Sequence, residues 1–285
     1  MNCTKLLSII TINYNNLSGL RRTVESVVDQ TWQAFEYIII DGGSTDGSAA
    51  YIESQKEHFD YWVSEPDTGI YNAMNKGIAK ASGEYLLFLN SGDWLCSEKV
   101  IDSVFSELTC FDVYYGNLIK VYPNNETIID KGLAGKPISL NTFVKGTLNH
   151  GSSFIKKELF SLYGLYDETL AIVSDWKFFL IALGLNNSIV GYLDIEISFF
   201  DMTGISNRHL KLQNEERKIV LHAIVPTPIQ RDSIVLNQYE KLMSEEQFLL
   251  LSVLNSSSKL IKINNLWLKT LFFFMTVVNK FFKKV

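Results

Sequence analysis

The stretch FEYIIIDGGSTDGS (residues 35–48) decides the fold class of this 285-residue chain. Its first half is an apolar run of the kind found in parallel strands that are covered on both faces of a sheet. An acid and two glycines end the run, and the small polar residues beyond them favour a turn. We therefore predict a buried strand over residues 35–41, a polar loop, and a helix over about residues 47–57.

Similar units precede and follow this stretch. LLSIITINY (residues 6–14) predicts an earlier strand with a helix after it, and YWVSEPD (residues 61–67) and EYLLFLN (residues 84–90) predict two later strands. Apolar residues recur at helical spacing from Ile70 to Ala81, between those two later strands. The strand–helix–strand alternation over the first ninety residues predicts an open, mostly parallel α/β sheet.

Open sheets of this kind bind ligands at the carboxyl ends of their strands. Polar residues follow each of the four predicted strands, and three of the four sets contain acids. Carboxylates gathered at one edge repel each other, so we predict that a divalent cation carrying a phosphorylated ligand lies among them. The four sets are Asn13 with Asn15, residues 41–46, Glu65 with Asp67, and residues 90–93.

The second half of the chain is less regular. Residues 111–122 and 126–133 have the pattern of antiparallel strands, residues 174–185 that of an amphipathic helix, and residues 188–204 that of a further strand. We predict a catalytic domain over residues 1–210, divided into a nucleotide-binding half (1–95) and an acceptor-binding half (96–210). A helical extension over residues 211–285 is expected to follow it.

The charge distribution restricts the partners of the protein. The net charge is −5, yet residues 259–285 carry six lysines and no acid, which leaves about −11 on the rest of the chain. An acidic body argues against nucleic-acid binding, which needs a basic surface. Three cysteines without metal-type spacing fit a reducing compartment, and no secretory signal pattern precedes the first strand. A cytoplasmic protein is therefore expected.

Five segments in this order resemble the family 2 glycosyltransferases with the GT-A fold, which build bacterial surface polysaccharides from nucleotide sugars. The resemblance covers about residues 5–206 and implies a Rossmann-like open mixed sheet that is flanked by helices. It also implies transfer of a sugar from a nucleotide sugar, with UDP as the expected nucleotide. The segments are SIITINYNN, QTWQAFEYIIIDGGSTDGS, SEPDTGIYNAMNKGIAKASGEYLLFLNSGDW, NHGSSF and SDWKFFL.

The resemblance also implies roles for residues of the nucleotide site. In this family the acid that corresponds to Asp41 accepts a hydrogen bond from the uracil ring, and Thr11 and Asn13 line the same pocket. The segment that begins at Asp67 runs under the nucleotide, so Asp67, Asn72 and Lys76 are expected to contact the base, ribose or phosphates. Turn formation is the alternative for Asp41, and a solvated helix face is the alternative for Lys76.

The segment NSGD (residues 90–93) occupies the place of the family's D-x-D metal motif and departs from it. Asn90 replaces the first acid and is expected to contact the ribose, while Gly92 stands where a metal-binding acid is common. Asp93 then becomes the expected ligand of Mn²⁺ or Mg²⁺, cations that prefer oxygen ligands and bridge carboxylates to phosphates. A turn capped by Asp93 is the alternative.

The family places its catalytic base at the position of Asp175, where it removes the proton of the acceptor hydroxyl. A single base implies one displacement with inversion at the anomeric carbon. His150 falls where relatives carry a histidine that faces the donor phosphates or the acceptor. For Asp175, helix-dipole stabilisation in the first turn is the structural alternative.

The basic, aromatic tail over residues 259–285 resembles amphipathic helices that lie on anionic membranes. Its longest apolar run is too short to span a bilayer. We expect peripheral association with the inner face of the cell membrane, where a glycan or lipid-linked oligosaccharide acceptor is met. A helix packed on the body or on a dimer partner is the alternative, and the oligomeric state stays open.

Two other functions fit parts of the pattern. A non-catalytic nucleotide-sugar-binding scaffold at the membrane would explain the reduced acidic motif. A sugar nucleotidyltransferase shares the parallel-sheet plan but needs a basic, glycine-rich loop after the first strand, and here no lysine or arginine lies between that strand and Arg21. The sequence does not identify the donor sugar, the acceptor hydroxyl or the linkage.

Overall fold

The computed structural model describes residues 6–107, 110–204, 209–244, 262, 265–270 and 273. The chain divides into two compact units, Met1–Val225 and Pro226–Val285. The predicted domain boundary at residue 210 falls at the start of a helix that belongs to the first unit. Every residue of the predicted site lies in that first unit.

Within the described residues of the first unit, nine strands form one mixed sheet. The pairs β1–β2, β2–β3 and β1–β4 are parallel, as the alternation predicts, and β8 lies antiparallel to both β4 and β6. The order is β3-β2-β1-β4-β8-β6-β9-β5, with β7 paired to β6. The strands are β1 (Leu7–Asn13), β2 (Phe35–Asp41), β3 (Tyr61–Ser64), β4 (Tyr85–Phe88), β5 (Trp94–Leu95), β6 (Val113–Val121), β7 (Thr127–Asp130), β8 (Ser153–Lys156) and β9 (Val190–Asp201).

Helices cover both faces of this sheet. Alternate residues of β1 and β2 enter two hydrophobic clusters, one on each face, so neither strand has a polar side. Burial on both faces explains why the stretch that begins at Phe35 reads as an apolar run. The helices of the first unit are α1 (Leu17–Val28), α2 (Ser48–Ser54), α3 (Ile70–Lys80), α4 (Val100–Ser106), α5 (Leu140–Lys145), α6 (Glu158–Tyr163), α7 (Ser174–Phe179) and α8 (Leu210–Ile224).

The predicted helix over residues 174–185 is two structures joined end to end. Its first part is α7, and Leu180–Leu185 continue as a π-helix. Gly184 lies in that π-turn, where a Cβ would approach Phe143 Cδ2 to 2.9 Å. The missing side chain therefore allows the turn to pack closely against α5.

Helix α8 is attached to the loop before α7 by a buried acid. The Glu216 carboxylate accepts hydrogen bonds from the backbone N–H groups of Ala171 (2.7 Å) and Ile172 (3.0 Å). Val220 packs into the core of the first unit on the same helix. We therefore propose that the catalytic domain includes α8 and extends past residue 210.

The second unit contains the helix α9 (Thr227–Ser244). Of the predicted membrane tail, residues 262, 265–270 and 273 are helical, and the rest of residues 259–285 lies outside the described residues. No helix in the described part of the chain combines the length and apolar character that a membrane span requires. The two units together agree with the predicted fold class, a GT-A type sheet followed by C-terminal helices.

Candidate active site

All four predicted strand-end segments meet at the carboxyl edge of the sheet. Asn13 and Asp41 are register partners at the ends of β1 and β2. The Ser91 N–H donates to the Ile12 carbonyl over 3.0 Å, which holds the segment after β4 beside the end of β1. The Glu65 N–H donates to the Asp41 carbonyl over 3.0 Å, so the parallel pairing of these strands brings all four sets of polar residues together.

Asp41 is fully buried and accepts four hydrogen bonds. Oδ1 accepts from Asn13 Nδ2 and Ser44 Oγ (both 2.6 Å). Oδ2 accepts from the Ser44 N–H (2.9 Å) and from Ser64 Oγ (2.6 Å). Burial alone would raise the pKa of Asp41, but hydrogen bonds from Ser44, Ser64 and Asn13 outweigh burial and lower that pKa below 3.8. The ionised form of the carboxylate is therefore favoured, and protein donors take the place of water around it.

Two side chains pack against the glycine that follows Asp41. A Cβ at Gly42 would lie 2.5 Å from Asp67 Oδ2 and 3.2 Å from Tyr14 Cδ2, so both side chains close on the bare glycine backbone. Tyr14 is 67% exposed, which leaves its ring accessible at the sheet edge. An acid and an exposed aromatic ring at one strand end suit a flat polar ring such as a nucleobase. Sequence reasoning missed Tyr14, although an aromatic residue among asparagines at a strand end was a usable signal.

Thr11 lies deeper than the predicted pocket. It is fully buried, and its hydroxyl lies 3.1 Å from the Tyr37 hydroxyl inside the fold. Asn13 lies nearer the edge, and its Oδ1 is buried without a hydrogen-bond partner among the described residues. An unpaired buried acceptor of this kind is satisfied when a ligand donates to it.

Asn72 and Lys76 lie on helix α3, and each contacts an acid elsewhere in the protein. Asn72 Nδ2 donates to Glu168 Oε2 over 2.9 Å. Lys76 Nζ contacts Glu65 Oε1 at 2.7 Å in a partly exposed ion pair. The structure thus places both on the helix that follows Asp67, and a nucleotide contact would require either side chain to exchange its present partner.

The NSGD segment forms a tight turn that points Asp93 inward. Gly92 has φ +109°, a left-handed conformation that disfavours any side chain, and a Cβ there would lie 3.2 Å from Asn16 Nδ2. Asp93 is only 5% exposed, and its Oδ1 accepts a hydrogen bond from the Asp201 N–H over 3.0 Å. The backbone conformation at position 92 therefore favours glycine over the acid that is common in the family motif.

The charge of Asp93 is poorly compensated in the protein alone. Burial raises the pKa of Asp93 to about 7, while the Asp201 N–H and the charge of His150 lower it only in part. Arg22 lies nearby: its Nη2 donates to the Gly92 carbonyl (3.1 Å) and lies 3.7 Å from Asp201 Oδ2. The Arg22 guanidinium also stacks over the Trp94 ring at 3.9 Å. Sequence reasoning missed both Arg22 and Asp201, which carried no local signal.

Asp93 has the chemistry of a ligand for a divalent cation, and it would be the one protein ligand of that cation. In the part of the chain that the structure describes, no group of three or more His, Cys, Asp or Glu side chains could hold a metal ion. A cation here would therefore take one carboxylate from the protein and its other oxygens from a phosphorylated ligand and water. A buried carboxylate with a raised pKa gains most from such a positive partner.

A hydrogen-bonded chain joins the strand-end turn to helix α7. Asn90 Nδ2 lies 3.2 Å from His150 Nε2, and His150 Nδ1 lies 2.9 Å from Asp175 Oδ2. Tyr71 Oη lies 2.9 Å from Asp175 Oδ1 and 2.6 Å from the Ile172 carbonyl, so its one proton is shared between them. The structure therefore brings three predicted site residues, Asn90, His150 and Asp175, into direct contact.

The two charged groups of this chain stabilise each other. Burial would raise the pKa of Asp175, but the hydrogen bond and charge of His150 and the Tyr71 hydroxyl lower it below 3.8. Burial would lower the pKa of His150, but its hydrogen bond to Asp175 and the charges of Asp175 and Asp93 raise it above 6.5. The contact favours the imidazolium beside an ionised carboxylate, and the pair can accept a proton only while the imidazole is neutral.

Comparison with known proteins identifies the family of the chain and its fold. A family model described as Glycosyl transferase family 2 matches residues 8–151. An uncharacterized glycosyltransferase of Mycobacterium tuberculosis (strain H37Rv) is 34% identical over 213 residues, which cover 73% of this chain and 79% of the relative. A PGL/p-HBAD biosynthesis glycosyltransferase of Mycobacterium bovis (strain BCG) is 26% identical over 210 residues, with 71% and 79% covered.

Two solved structures share the fold. The Staphylococcus aureus TarS fragment 1–349 in complex with UDP superposes with a TM-score of 0.58 at 18% identity, over 68% of this chain. The match spans 60% of the length of that fragment. The mannosyltransferase PcManGT from Pyrobaculum calidifontis, in complex with GDP-Man and Mn²⁺, superposes with a TM-score of 0.53 at 11% identity and covers 92% of this chain and 87% of that one. At these identities the two likenesses establish the fold alone.

Proposed function

Because the chain belongs to glycosyl transferase family 2 and is a glycosyltransferase, we propose that its donor is a nucleotide-diphosphate sugar, with UDP as the nucleotide. The acceptor we propose is a glycan or lipid-linked glycan in cell-surface polysaccharide biosynthesis. One observation carries the proposal: the hydrogen-bonded chain Asn90–His150–Asp175 ends beside the strand-end segments at the carboxyl edge of the sheet. In this proposal the Asp175–His150 pair accepts the proton, and it lies next to the strand ends that bind the nucleotide.

The nucleotide assignment rests on the surface around Gly42. Asp67 and Tyr14 close on the Gly42 backbone there, and Asn13 Oδ1 lacks a partner among the residues described. The TarS structure holds UDP, and a second TarS structure of the same fold holds UDP-GlcNAc. The mannosyltransferase structure holds GDP-Man, so a test of the donor has to include guanosine nucleotides.

The reaction we propose is a single displacement with inversion. The acceptor hydroxyl attacks the anomeric carbon, its proton passes to the Asp175–His150 pair, and the bond from that carbon to the diphosphate breaks. A single base at the site implies one displacement, without a covalent sugar intermediate. Proton removal by a positioned base contributes about 10²–10⁴-fold to a rate.

A divalent cation, Mn²⁺ or Mg²⁺, belongs to this proposal. Asp93 would hold it, and when bound it would offset the negative charge that develops on the departing nucleotide diphosphate. Arg22 lies 3.7 Å from Asp201 and supplies a further positive charge near the same turn. The protein's own contribution is a buried carboxylate whose ionised form needs a positive neighbour.

The test of this function is the release of nucleoside diphosphate from a panel of nucleotide sugars in the presence of Mn²⁺. We expect release from at least one UDP-sugar and about a 10²-fold loss in the Asp175→Asn variant, which should still bind UDP. Asp29→Asn is the matched control, because Asp29 is an exposed acid at the end of α1. Full activity in the Asp175→Asn variant would contradict the assignment of the pair.

A scaffold that binds nucleotide sugars without transferring them is the second candidate. The observations that favour it are the missing acid at Gly92 and the contact of both Asp175 oxygens with protein donors. Such a protein would bind UDP but release none from any UDP-sugar, whatever cation is supplied. The same panel therefore distinguishes the two functions.

We further propose that residues 259–285 bind the inner surface of the membrane. The six lysines of this segment and the exposed side chains of Leu266 and Trp267 support a basic, amphipathic contact with anionic lipid. The full-length protein should float with vesicles that contain anionic lipid and less with purely zwitterionic vesicles. Loss of flotation on deletion of residues 259–285 is expected; unchanged flotation would contradict this proposal.

A further inference from the structure

Arg217 on helix α8 carries a charge that the proposed reaction does not use. The side chain is partly buried, and its Nε is buried without a hydrogen-bond partner. Within the described ranges of the chain, no ion pair reaches its guanidinium group, although an arginine keeps its positive charge in proteins. Burial lowers the pKa of Arg217, as expected of a cation that has lost water without gaining a hydrogen-bonded anion.

This guanidinium group lies close to the proposed proton acceptor. Its carbon is 5.1 Å from the centre of the Trp176 ring, and Trp176 follows Asp175 in helix α7. The charge of Asp175 partly offsets the effect of burial on the pKa of Arg217. The two carboxylate oxygens of Asp175 contact Tyr71 and His150 instead of the arginine. The guanidinium group therefore remains available to an anion that comes from outside the protein.

The helix that carries this arginine and the ring beneath it are both held in place. The buried carboxylate of Glu216 fixes α8 to the backbone N–H groups of Ala171 and Ile172. The Trp176 ring is 1% exposed, and its Nε1 donates to the Phe143 carbonyl over 2.8 Å. A binding group that is carried between fixed elements loses less conformational entropy when its ligand arrives. The surroundings of the guanidinium group are therefore those of a preorganised binding residue.

We propose that Arg217 binds an anionic group of the sugar acceptor, a phosphate or a carboxylate. This inference rests on the proposed function and adds the charge class of the acceptor to it. A guanidinium group presents a planar fork of N–H donors that matches either anion through two parallel hydrogen bonds. The ionised Asp175 would repel a negative acceptor, and the positive charge of Arg217 offsets that repulsion. The acceptor hydroxyl is thereby held near the Asp175–His150 pair.

The surroundings of the two arginines near the site assign Arg217 to the acceptor and not to the donor. Arg22 donates to the Gly92 carbonyl, and its charge partly offsets the raised pKa of Asp93, the proposed cation ligand beside the donor diphosphate. Arg217 instead responds to the charge of Asp175, in helix α7. The acceptor hydroxyl has to lie next to the residue that takes its proton. Arg217 is therefore placed to contact the rest of the acceptor.

The test compares acceptors of the same sugar that differ in charge. The probes are the octyl glycosides of glucose, galactose and mannose, the matching octyl hexuronides and the matching octyl hexosyl phosphates. Each is offered with the nucleotide sugar that the wild type uses, and release of nucleoside diphosphate is measured. We expect kcat/KM of the wild type to be about tenfold or more higher for one anionic form than for the neutral form. The uronide and phosphate sets distinguish a carboxylate from a phosphate.

Substitution of the arginine should remove this preference. In Arg217→Gln we expect the ratio of anionic to neutral kcat/KM to fall to about twofold or less, mainly through a higher KM for the anionic form. Arg217→Lys keeps the charge but loses the fork, so its ratio should lie between the two, and it serves as the second variant if the glutamine variant has a lower melting temperature. Lys218→Gln is the matched control, because it removes the same charge from an exposed neighbour on α8 and should keep the wild-type ratio.

Three results would overturn the inference while leaving the proposed function intact. The first is an active wild type that prefers neither anionic form over the neutral one. The second is an Arg217→Gln variant that keeps the wild-type ratio, or a Lys218→Gln variant that loses it equally. The third is a calorimetric loss of UDP affinity in Arg217→Gln as large as its loss of preference, which would assign the arginine to the donor. If the wild type releases no nucleoside diphosphate from any nucleotide sugar, the proposed function itself fails.

Discussion

Two strand-end turns of the same sheet treat a buried carboxylate in opposite ways. After β2, Asp41 accepts four hydrogen bonds, and its pKa is lowered. After β4, Asp93 accepts the Asp201 N–H, and burial raises its pKa to about 7. In the first turn the protein itself supplies the hydrogen bonds of the Asp41 carboxylate, while the neighbouring Asn13 Oδ1 has no partner among the described residues. In the second turn the ionised Asp93 carboxylate is only partly compensated, and we propose that a cation bound there would stabilise it.

The largest expected effect comes from restoring the family's acid in the second turn. Gly92→Asp forces a side chain into a left-handed conformation and buries a second carboxylate next to Asp93, at a cost of about 3 kcal/mol in unfolding free energy. Gly164→Asp is the matched control, since Gly164 also has a positive φ but has no atom within 4 Å of an added Cβ. Urea denaturation should show the larger loss at position 92. Equal losses at both positions would mean that the second turn tolerates another charge.

Removing the charge from the first turn comes next. Asp41→Asn replaces an acceptor of four hydrogen bonds by a group that also donates, and it should lower the unfolding free energy by about 2–3 kcal/mol. UDP affinity should fall with it, as a calorimetric titration would show. The stability from Asp41 is present above its unfolded pKa and is lost as pH falls through its lowered folded pKa, so the difference between wild type and variant should shrink in acid. A constant difference down to pH 2 would contradict this account of Asp41.

The corresponding substitution in the second turn, Asp93→Asn, should raise the unfolding free energy instead of lowering it. The folded protein prefers protonated Asp93, so wild-type stability decreases as pH rises from 3.8 to about 7. Asp93→Asn keeps an acceptor for the Asp201 N–H and loses the uncompensated charge. With chelator present, we expect the variant to be more stable than wild type by about 1–2 kcal/mol at pH 8 and to lose this advantage near pH 4. A variant that is less stable at pH 8 would show that the protein already compensates Asp93.

The smallest effect is the removal of one donor from the first turn. Ser64→Ala deletes the hydroxyl that donates to Asp41 Oδ2 over 2.6 Å, and it should cost about 1 kcal/mol because three donors remain. The acid transition of the variant should move to slightly higher pH, since one contribution that lowers the pKa of Asp41 is gone. Ser106→Ala, at an exposed site on α4, serves as the control. No change in the acid transition would contradict the importance of this bond.

Much of the first turn could be predicted from the sequence. β2 occupies the predicted residues 35–41, and the parallel pairing of β1 and β2 places Asn13 beside Asp41 as the strand-end rule requires. The family and the fold class were also predicted correctly from five short segments. Such features depend on local patterns or on the sheet geometry that those patterns imply.

For the second turn and the Asp175–His150 pair, the sequence predicted which residues matter but not the contacts that they make. The inward direction of Asp93 depends on an N–H that is 108 residues away along the chain, and the contact of His150 with Asp175 requires β8 to lie antiparallel between β4 and β6. The packing of α8 against the first unit likewise depends on a long-range contact, the hydrogen bond from the Ile172 N–H to the Glu216 carboxylate. No short sequence pattern predicts contacts between residues so far apart in the chain, because such contacts form only when all the strands of the sheet are paired.

The most direct test of the central claim is a calorimetric titration of UDP into the wild-type protein at pH 8, with Mn²⁺ and with chelator. If the carboxyl edge of the sheet is a nucleotide-sugar site whose second turn needs a positive charge, UDP should bind with measurable heat, and Mn²⁺ should tighten the binding. The absence of heat with UDP, with GDP and with every other nucleoside diphosphate, Mn²⁺ supplied, would contradict the account.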